Sequence, residues 1–588
     1  MFVLFLTASA AVADATIDAR AQRMIDSAGT GRVDWSEENS FKLAHCVVQA
    51  KFATGQDDEA RQIIQRAIQR RPLVEYYDPE FPLWSTMDCY MRWKDLSGKY
   101  TPELKEKTKA YVASAKIPST ATTYNHHWML AAGLILAYQE WGDAISYKFK
   151  SDDPTGKKWV LQQLDDIVRQ GHGEELSPTY AKYTLGPILS LYNFCSDPDL
   201  RHRAKLTLDA MLIRRACFFF KGHTAGMIQR SYGQFHKANN DGGFMWLYVG
   251  GPENLGGTSS IGFALSDYRP PEVVAELAHD RDQTYEQISS VMRNGITEWL
   301  TTYFDRTYAI GSAYPRNNYL GKKSTWFQER LTWAIVWDDA PERVSTVFLK
   351  HPTPKYGFDK NRYLGDSPFH QVLQDHGTLI GLFAIPKDCP KFYMEHSWRR
   401  QILGGFPMKP LAIIDESEQG RLFLDYGSVM IGLAMSRPFT IEDDRRRGVH
   451  YFTIDADADT FQVSYAVETA NPGEYRGAPK QRLGAFYQSA SVRFGEMKLG
   501  SQGGHPSLEY ENMEGVCMEL EWRPIGKESI RRIDGIQFIP TNREQWPLMR
   551  NPWIEQQLMG DTMRVVTDRC EMQYDFDKWK VLNGRQGE

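Results

Sequence analysis

Cysteines are scarce in this 588-residue sequence, and metal-binding motifs are missing from it. The seven cysteines are scattered, without CxxC pairs or the dense spacing of a disulfide framework. Neither an HExxH motif nor an acidic metal-binding pattern occurs. We therefore expect no metal, no cofactor and no disulfide framework.

Long runs of one charge and long apolar runs are also missing. The formal net charge is −5, and no basic stretch stands out, which argues against nucleic acid as the partner. No apolar run after the N-terminus reaches the roughly 20 residues that a membrane-spanning helix needs. No motif repeats at a fixed period, which argues against a TPR or HEAT solenoid. The sequence thus predicts a chain with no membrane span.

Residues 1–15, MFVLFLTASAAVADA, predict a signal peptide. An apolar segment is followed by small residues, and both Ala11–Ala13 and Ala13–Ala15 fit an A-x-A cleavage site. The basic residues that usually precede such a segment are missing, so an apolar N-terminal helix docked on the fold is the alternative. We favour export, which predicts a secreted or periplasmic protein.

Residues 18–305 have the pattern of helical hairpins separated by Gly, Pro and Asp turns. Regular hairpins of this length favour an array or a closed toroid. A glycine-rich stretch at 239–262 predicts a long surface loop. The predicted helices are Asn39–Thr54, Asp57–Arg71, Pro102–Ala115, Asn125–Gly142, Lys157–Gln170, Thr179–Cys195, Asp199–Phe220 and Asp282–Phe304.

Residues 306–588 change to short β-branched and aromatic runs between turns, the pattern of an antiparallel β-sandwich. Helices followed by strands predict an α+β multidomain protein, with an (α/α) toroid at 18–305, a sandwich at 306–588 and a cleft between them. The clearest predicted strands are Val344–Leu349, Gly377–Ile385, Arg421–Leu424, Ser428–Ser436, His450–Asp455 and Phe461–Val467.

The stretch from Gly173 to Cys195 is the most informative in the helical half. Ser177 followed by Pro178 is typical of a helix start, because serine caps free N–H groups and proline tolerates the first helical position. The spacing then puts two phenols, Tyr180 and Tyr183, one turn apart near the start of a buried helix.

Three further clusters carry residue types suited to chemistry. One precedes an apolar helix, one lies between a helix end and a glycine-rich stretch, and one is in the strand half. Their candidate residues are Asn125, His126, His127 and Trp128 in the first cluster, Arg230, Tyr232 and His236 in the second, and His370 and His376 in the third.

Amide, imidazole, phenol and guanidinium groups together favour β-elimination of a uronate-containing polysaccharide. Removal of the C5 proton builds negative charge on the neighbouring carboxylate, which hydrogen-bond donors must stabilise. A base takes that proton and an acid protonates the leaving glycosidic oxygen. Tyrosine serves in both roles if a cation such as Arg230 lowers its pKa.

The motifs NHHW, SPTYAKYTL and RSYG, in a helical half followed by a strand-rich half, resemble the heparinase II/III and alginate lyase type of polysaccharide lyase. The resemblance covers roughly residues 20–588 and implies a toroid followed by an antiparallel β-sandwich. It implies that Asn125 and His126 neutralise the substrate carboxylate and that Tyr180 or Tyr183 is the acid/base. It leaves open whether His370 or His376 faces the cleft. His127, Trp128, Glu175 and His236 are further substrate-binding candidates.

Two other classes of function compete with this interpretation. A glycoside hydrolase on the same toroid needs two carboxylates, for which Glu174 or Glu175 with Asp241 or Glu329 are candidates. A non-catalytic glycan-binding protein fits the aromatic content of 13%. It gives no reason for these polar groups to occur at successive helix ends, so the order of preference is lyase, hydrolase, binder.

Overall fold

The structure is a computed structural model that describes most of the chain. The described residues are 16–70, 78–114, 124–229, 243–279, 283–293, 296–314, 330–338, 346–351, 366, 369–385, 401–446, 448–456, 460, 462–523, 527–538 and 546–586. The predicted signal peptide at 1–15 lies outside them.

The first half is helical, as predicted. The helices α1 to α13 are Ile17–Gly29, Glu38–Phe41, Ala44–Ala53, Asp57–Arg70, Glu80–Trp93, Pro102–Ala113, Tyr124–Trp141, Lys157–Gln170, Ala181–Phe194, Pro198–Phe218, Phe244–Val249, Ile261–Ala264 and Val273–His279. Hydrophobic periodicity is clear in the amphipathic helices; in α8, for example, Val160, Leu164, Ile167 and Val168 form the buried face.

The longer helices form a closed ring. α3, α5, α7 and α9 each contact the next around the ring, and α12 and α1 complete it by joining α9 to α3. α4, α8 and α10 pack against α3, α7 and α9 as a second layer. Buried residues occupy nearly every position of α3 and α5 and most positions of α7, whereas α4 and α8 bury one face only. This arrangement is the predicted (α/α) toroid.

The second half is built from antiparallel sheets, also as predicted. Three short strands, β1 to β3, precede this half and are Phe219–Phe220, His223–Thr224 and Ile228–Gln229. Strands β4 to β18 are Tyr285–Arg293, Ile296–Phe304, Tyr308–Tyr314, Arg330–Leu331, Trp333–Trp337, Thr346–Lys350, His370–Asp375, Thr378–Ala384, Gln401–Pro407, Ala412–Glu416, Arg421–Asp425, Met430–Met435, Thr440–Asp444, Val449–Asp455 and Gln462–Ala470. After helix α14 (Pro479–Gly495), strands β19 to β28 are Lys498–Gln502, His505–Glu511, Cys517–Glu521, Ile530–Ile533, Ile536–Phe538, Met549–Arg550, Ile554–Gln556, Thr562–Val566, Cys570–Asp575 and Lys580–Gln586.

Three sheets stack in this half. A 13-stranded sheet (β16-β17-β12-β9-β8-β6-β5-β4-β24-β25-β26-β27-β28) faces a six-stranded sheet (β10-β11-β18-β15-β14-β13) across one hydrophobic core. The opposite face of the six-stranded sheet packs on α14 and on a five-stranded sheet, β19 to β23. Both faces of β11 are therefore buried: Leu379 and Phe383 point into the first core, and Ile380 and Leu382 into the second. Burial on both sides explains its continuous apolar run.

Two predictions in the first half are wrong. The helix predicted over Asp282–Phe304 is the antiparallel pair β4 and β5, so the strand-rich half begins at Tyr285 rather than near residue 306. The predicted surface loop at 239–262 contains the buried helix α11. Its bulky apolar residues pack into the core of the toroid, which outweighs the breaking tendency of the neighbouring glycines.

The two halves share a hydrophobic core. Side chains from the C-terminal strands, including Met549, Val565 and Phe576, join the toroid core. Gln556 donates a hydrogen bond of 2.6 Å to the carbonyl of Val168 at the end of α8. The C-terminal strands thus clamp the toroid to the sandwich. Among the described helices, none combines the length and apolar character needed to cross a membrane.

Candidate functional site

The starts of three inner helices meet at one end of the toroid. Phe81, at the start of α5, contacts the ring of His126 on α7 (centroids 5.3 Å apart) and the ring of Tyr183 on α9 (5.1 Å). The ring of Tyr180 lies 5.9 Å from that of Tyr183. We call this group, Glu80, Phe81, His126, Tyr180 and Tyr183, the toroid mouth. It brings together the predicted imidazole and both predicted phenols.

The phenols are positioned by the predicted serine cap. Ser177 Oγ accepts a hydrogen bond of 2.8 Å from the backbone N–H of Tyr180, and α9 begins at the next residue, Ala181. The cap fixes the backbone just before the first turn. Both phenols are partly buried, and Tyr183 lies on the face of α9 that meets α5.

Tyr183 is held in its protonated form. Burial raises the pKa of its phenol to about 12, although a hydrogen bond with Ser259 acts in the opposite direction. Lys182 lies with its Nζ 5.4 Å from the centroid of the Tyr183 ring. A phenol with this pKa is available near neutral pH as a proton donor rather than as a base.

His126 faces two carboxylates. Its Nδ1 lies 3.5 Å from Glu80 Oε2 and 3.8 Å from Asp78 Oδ1. Asp78 is also paired with Lys42, whose Nζ lies 3.1 Å from Asp78 Oδ2 and 4.5 Å from the centroid of Phe81. The His126 side chain is 14% exposed, so a group entering the toroid mouth can reach it.

The other members of the NHHW motif point elsewhere. Asn125 is completely buried in the first turn of α7, so its predicted contact with substrate stays a prediction. His127 packs between the rings of Phe149 and Trp159, away from His126. Trp128 is completely buried and also packs on Trp159, and its predicted role in substrate binding likewise stays a prediction. The helical turn separates adjacent side chains by about 100°, which resolves which histidine faces the toroid mouth.

The acidic pair before α9 is structural. Glu175 is buried and paired with Arg214, with Oε1 2.7 Å from Nε. Burial pushes the pKa of Glu175 upward, but Arg214 and His172 outweigh it and hold the pKa below its usual value. Glu174 is completely buried. Glu175 lies within a closed ion pair with Arg214, and the substrate-binding role predicted for it stays a prediction.

His370 belongs to the core of the sandwich. Its Nδ1 is hydrogen-bonded to Asp366, and its Nε2 lies 2.5 Å from the hydroxyl oxygen of Tyr465. Tyr465 in turn accepts a hydrogen bond of 2.7 Å from Trp333 Nε1. His370 is completely buried and stacks on Phe383 at 3.9 Å. Both of its ring nitrogens have partners within the fold, and the substrate-binding role predicted for His370 stays a prediction.

His376 is exposed at the turn between β10 and β11. Its Nδ1 lies 3.4 Å from Glu514 Oε2, and its ring lies 5.5 Å from that of Tyr303. These neighbours belong to the sandwich half, so the described contacts do not join His376 to the toroid mouth. Arg230, Tyr232 and His236, and the hydrolase candidates Asp241 and Glu329, lie outside the described residues.

Sequence reasoning missed Asp78, Glu80 and Phe81. They occur in DPEFP, whose prolines and acidic residues are typical of a helix start. That signal predicts α5, but it does not predict that α5 and α7 begin side by side. Only the packing of inner helices around the ring brings Glu80 to His126.

A scan against protein-family models and a search of curated proteins found no match. Among solved structures, a heparinase III with methylated lysines is similar over 86% of this chain and 90% of its own, at 10% identity and a TM-score of 0.38. Heparan sulfate lyase HepC from Pedobacter heparinus is similar over 91% of both chains, at 10% identity and a TM-score of 0.35. Chondroitin AC lyase from Streptomyces coelicolor A3 is similar over 88% of both chains, at 9% identity and a TM-score of 0.41. At these values, the likenesses assign neither a family nor an activity to the chain.

Proposed function

We propose that this protein is a polysaccharide lyase that cleaves a uronic-acid-containing polysaccharide by β-elimination at the toroid mouth. The observation that carries the proposal is the shared contact of His126 and Tyr183 with Phe81. Phe81 thus contacts both an imidazole and a protonated phenol. These are the two kinds of group that can accept and donate the protons of an elimination.

The proton donor in this proposal is Tyr183. Its phenol, with a pKa of about 12, remains protonated over the physiological range. A protonated phenol can pass its proton to the glycosidic oxygen as the bond to C4 breaks. His126, which contacts the same Phe81, and Tyr180, which contacts Tyr183, are the candidates for the acceptor of the C5 proton. Asn125, in the turn beside them, is the proposed donor to the substrate carboxylate.

The hydrolase is the weaker alternative. Inversion or retention at a glycosidic bond requires two accessible carboxyl groups on opposite sides of that bond. Glu174 and Glu175 are both buried, and Glu175 is engaged by Arg214. We further propose, from the apolar segment at the N-terminus, that the protein is exported and meets its acidic polysaccharide outside the cytoplasm or in a periplasm.

The test is a time course of ultraviolet absorbance and of new reducing ends on a panel of uronans: alginate, heparan sulfate, chondroitin sulfate, hyaluronan and pectate. Elimination yields a conjugated C4–C5 double bond, which absorbs, whereas hydrolysis yields reducing ends without absorbance. We expect both signals to rise together on at least one polymer. Reducing ends without absorbance would overturn the proposal in favour of a hydrolase.

A further inference from the structure

A buried carboxylate at the toroid mouth faces the imidazole. Glu80 is 3% exposed, and its Oε2 is inaccessible to solvent and accepts no hydrogen bond from the described residues. Among the described ion pairs, the partner of Glu80 Oε2 is His126 Nδ1, at 3.5 Å. A buried carboxylate oxygen that accepts no hydrogen bond is costly. The position of Glu80 therefore indicates a role that depends on the imidazole of His126.

The carboxylates of Glu80 and Asp78 both lie close to the same ring nitrogen of His126, Nδ1. Asp78 approaches Nδ1 as well, at 3.8 Å, and is itself neutralised by Lys42. A neutral imidazole carries one N–H and one lone pair, and a carboxylate beside Nδ1 favours the N–H there. The lone pair then lies on Nε2, the nitrogen on the opposite side of the ring.

We infer that Glu80 is a positioning residue that fixes the Nδ1–H tautomer of His126, so that Nε2 of His126 accepts the C5 proton of the substrate. The inference rests on the proposed function. It gives His126 a different role from the carboxylate neutralisation implied by the resemblance, and it leaves that task to Asn125. It also separates the two proton transfers: the imidazole accepts and Tyr183 donates.

The proton count closes over one turnover. The C5–H bond breaks, its proton passes to Nε2 of His126, and its electron pair forms the C4–C5 double bond. The C4–O bond breaks, and the leaving oxygen takes the phenolic proton of Tyr183. Glu80 stabilises the imidazolium that forms, as a carboxylate does in other carboxylate–histidine pairs. Transfer of a proton from the imidazolium to the phenolate, through solvent, restores both groups.

A leaving group that needs no proton separates the two roles. Wild type, Glu80→Gln, His126→Ala and Tyr183→Phe are assayed on the cleaved polysaccharide and on a matching uronoside with fluoride at C4. We expect Tyr183→Phe to lose activity on the polysaccharide by about 10²-fold or more but to retain most of it on the fluoride. We expect Glu80→Gln and His126→Ala to lose activity on both, mainly in kcat.

An isotope effect distinguishes positioning from a folding defect. With deuterium at C5, a slower proton transfer raises the primary isotope effect of Glu80→Gln above that of wild type. A merely structural loss leaves fewer active molecules and an unchanged isotope effect. Glu80→Asp, which restores the charge at a greater distance, should fall between wild type and Glu80→Gln in rate, and it replaces Glu80→Gln if that variant does not fold.

Glu140→Gln is the matched control. Glu140 lies at the opposite end of the same helix pair, where it contacts Lys94 at 3.2 Å, and its variant should act like wild type on both substrates. A Glu80→Gln enzyme with the wild-type rate and isotope effect on the fluoride would overturn the inference alone. Absence of the double bond with wild type on every uronan would overturn the proposed function, and the inference with it.

Discussion

The cluster around His370 in the sandwich and the toroid mouth each contain a histidine, a carboxylate and a tyrosine, yet of these two only the toroid mouth leaves its histidine partly exposed. In the sandwich, His370 is completely buried, and Asp366 and Tyr465 engage both of its ring nitrogens. At the toroid mouth, the carboxylates approach one nitrogen of His126, and the side chain is partly exposed. Residue types alone therefore do not identify a site. An accessible atom that has not already formed its hydrogen bonds does.

The largest expected effect separates the two phenols at the toroid mouth. Tyr183→Phe should lower kcat by about 10²–10⁴-fold, because it removes the proposed proton donor. Tyr180→Phe should retain more activity. Both rates are measured as double-bond formation on the best uronan. A greater loss in Tyr180→Phe than in Tyr183→Phe would transfer the donor role to Tyr180.

Breaking the buried cluster should damage stability instead. His370→Ala leaves the carboxylate of Asp366 buried beside a cavity, and we expect the free energy of unfolding to fall by about 3–5 kcal/mol. The measurement is urea unfolding followed by tryptophan fluorescence, with activity normalised to the folded fraction. Lost activity at an unchanged unfolding midpoint would contradict a purely structural role for His370.

Much of the helical half could be predicted from the sequence, because local periodicity determines it. Helix α8 has the predicted bounds, Lys157–Gln170, and α9 lies within the predicted Thr179–Cys195. The failure at Asp282–Phe304 has a local cause. The Asn-Gly dipeptide at 294–295, between two β-rich runs, is a strong hairpin signal that outweighs the helical spacing.

The site itself was only partly predictable. The sequence indicated His126, Tyr180 and Tyr183, because each lies at a helix start. It gave no indication that Glu80, 46 positions before His126, would face it, since that contact depends on ring packing. Nor could the sequence reveal that His370 is buried. The local sequence around a histidine in a strand does not distinguish a position in the core from one at a cleft.

A second buried carboxylate, Glu468 in the sandwich, should make the stability of the protein depend on pH. Burial raises the pKa of Glu468 to about 7, against opposing hydrogen bonds from Tyr510 and Thr378. Because the folded state binds this proton more tightly, stability is highest below the unfolded pKa near 4.5 and falls as pH rises to about 7. We expect Glu468→Gln to become more stable than wild type at high pH by up to about 3 kcal/mol.

Unfolding of the Glu468→Gln and wild-type proteins at pH 4 to 8 provides the measurement. The difference between the two free energies should grow with pH over that window. A constant difference would mean that Glu468 does not titrate there.

The smallest expected effect comes from an exposed ion pair. Lys498 and Glu509 are opposite each other on β19 and β20, with Nζ 2.5 Å from Oε1, and both side chains are well exposed. Lys498→Ala should leave both the unfolding temperature and the activity close to those of wild type. Thermal unfolding at low and high salt tests this. A large loss of thermal stability would show that exposed ion pairs contribute substantially to the stability of the sandwich.

The most direct test compares two tyrosine-to-phenylalanine variants, one in each cluster. Double-bond formation per folded molecule is measured for Tyr183→Phe and for Tyr465→Phe, which removes the hydroxyl between His370 and Trp333. We predict that Tyr183→Phe loses nearly all activity and keeps its stability within about 1 kcal/mol, whereas Tyr465→Phe loses stability and keeps its activity. Full activity in Tyr183→Phe, with an inactive but stable Tyr465→Phe, would contradict the assignment of the chemistry to the toroid mouth.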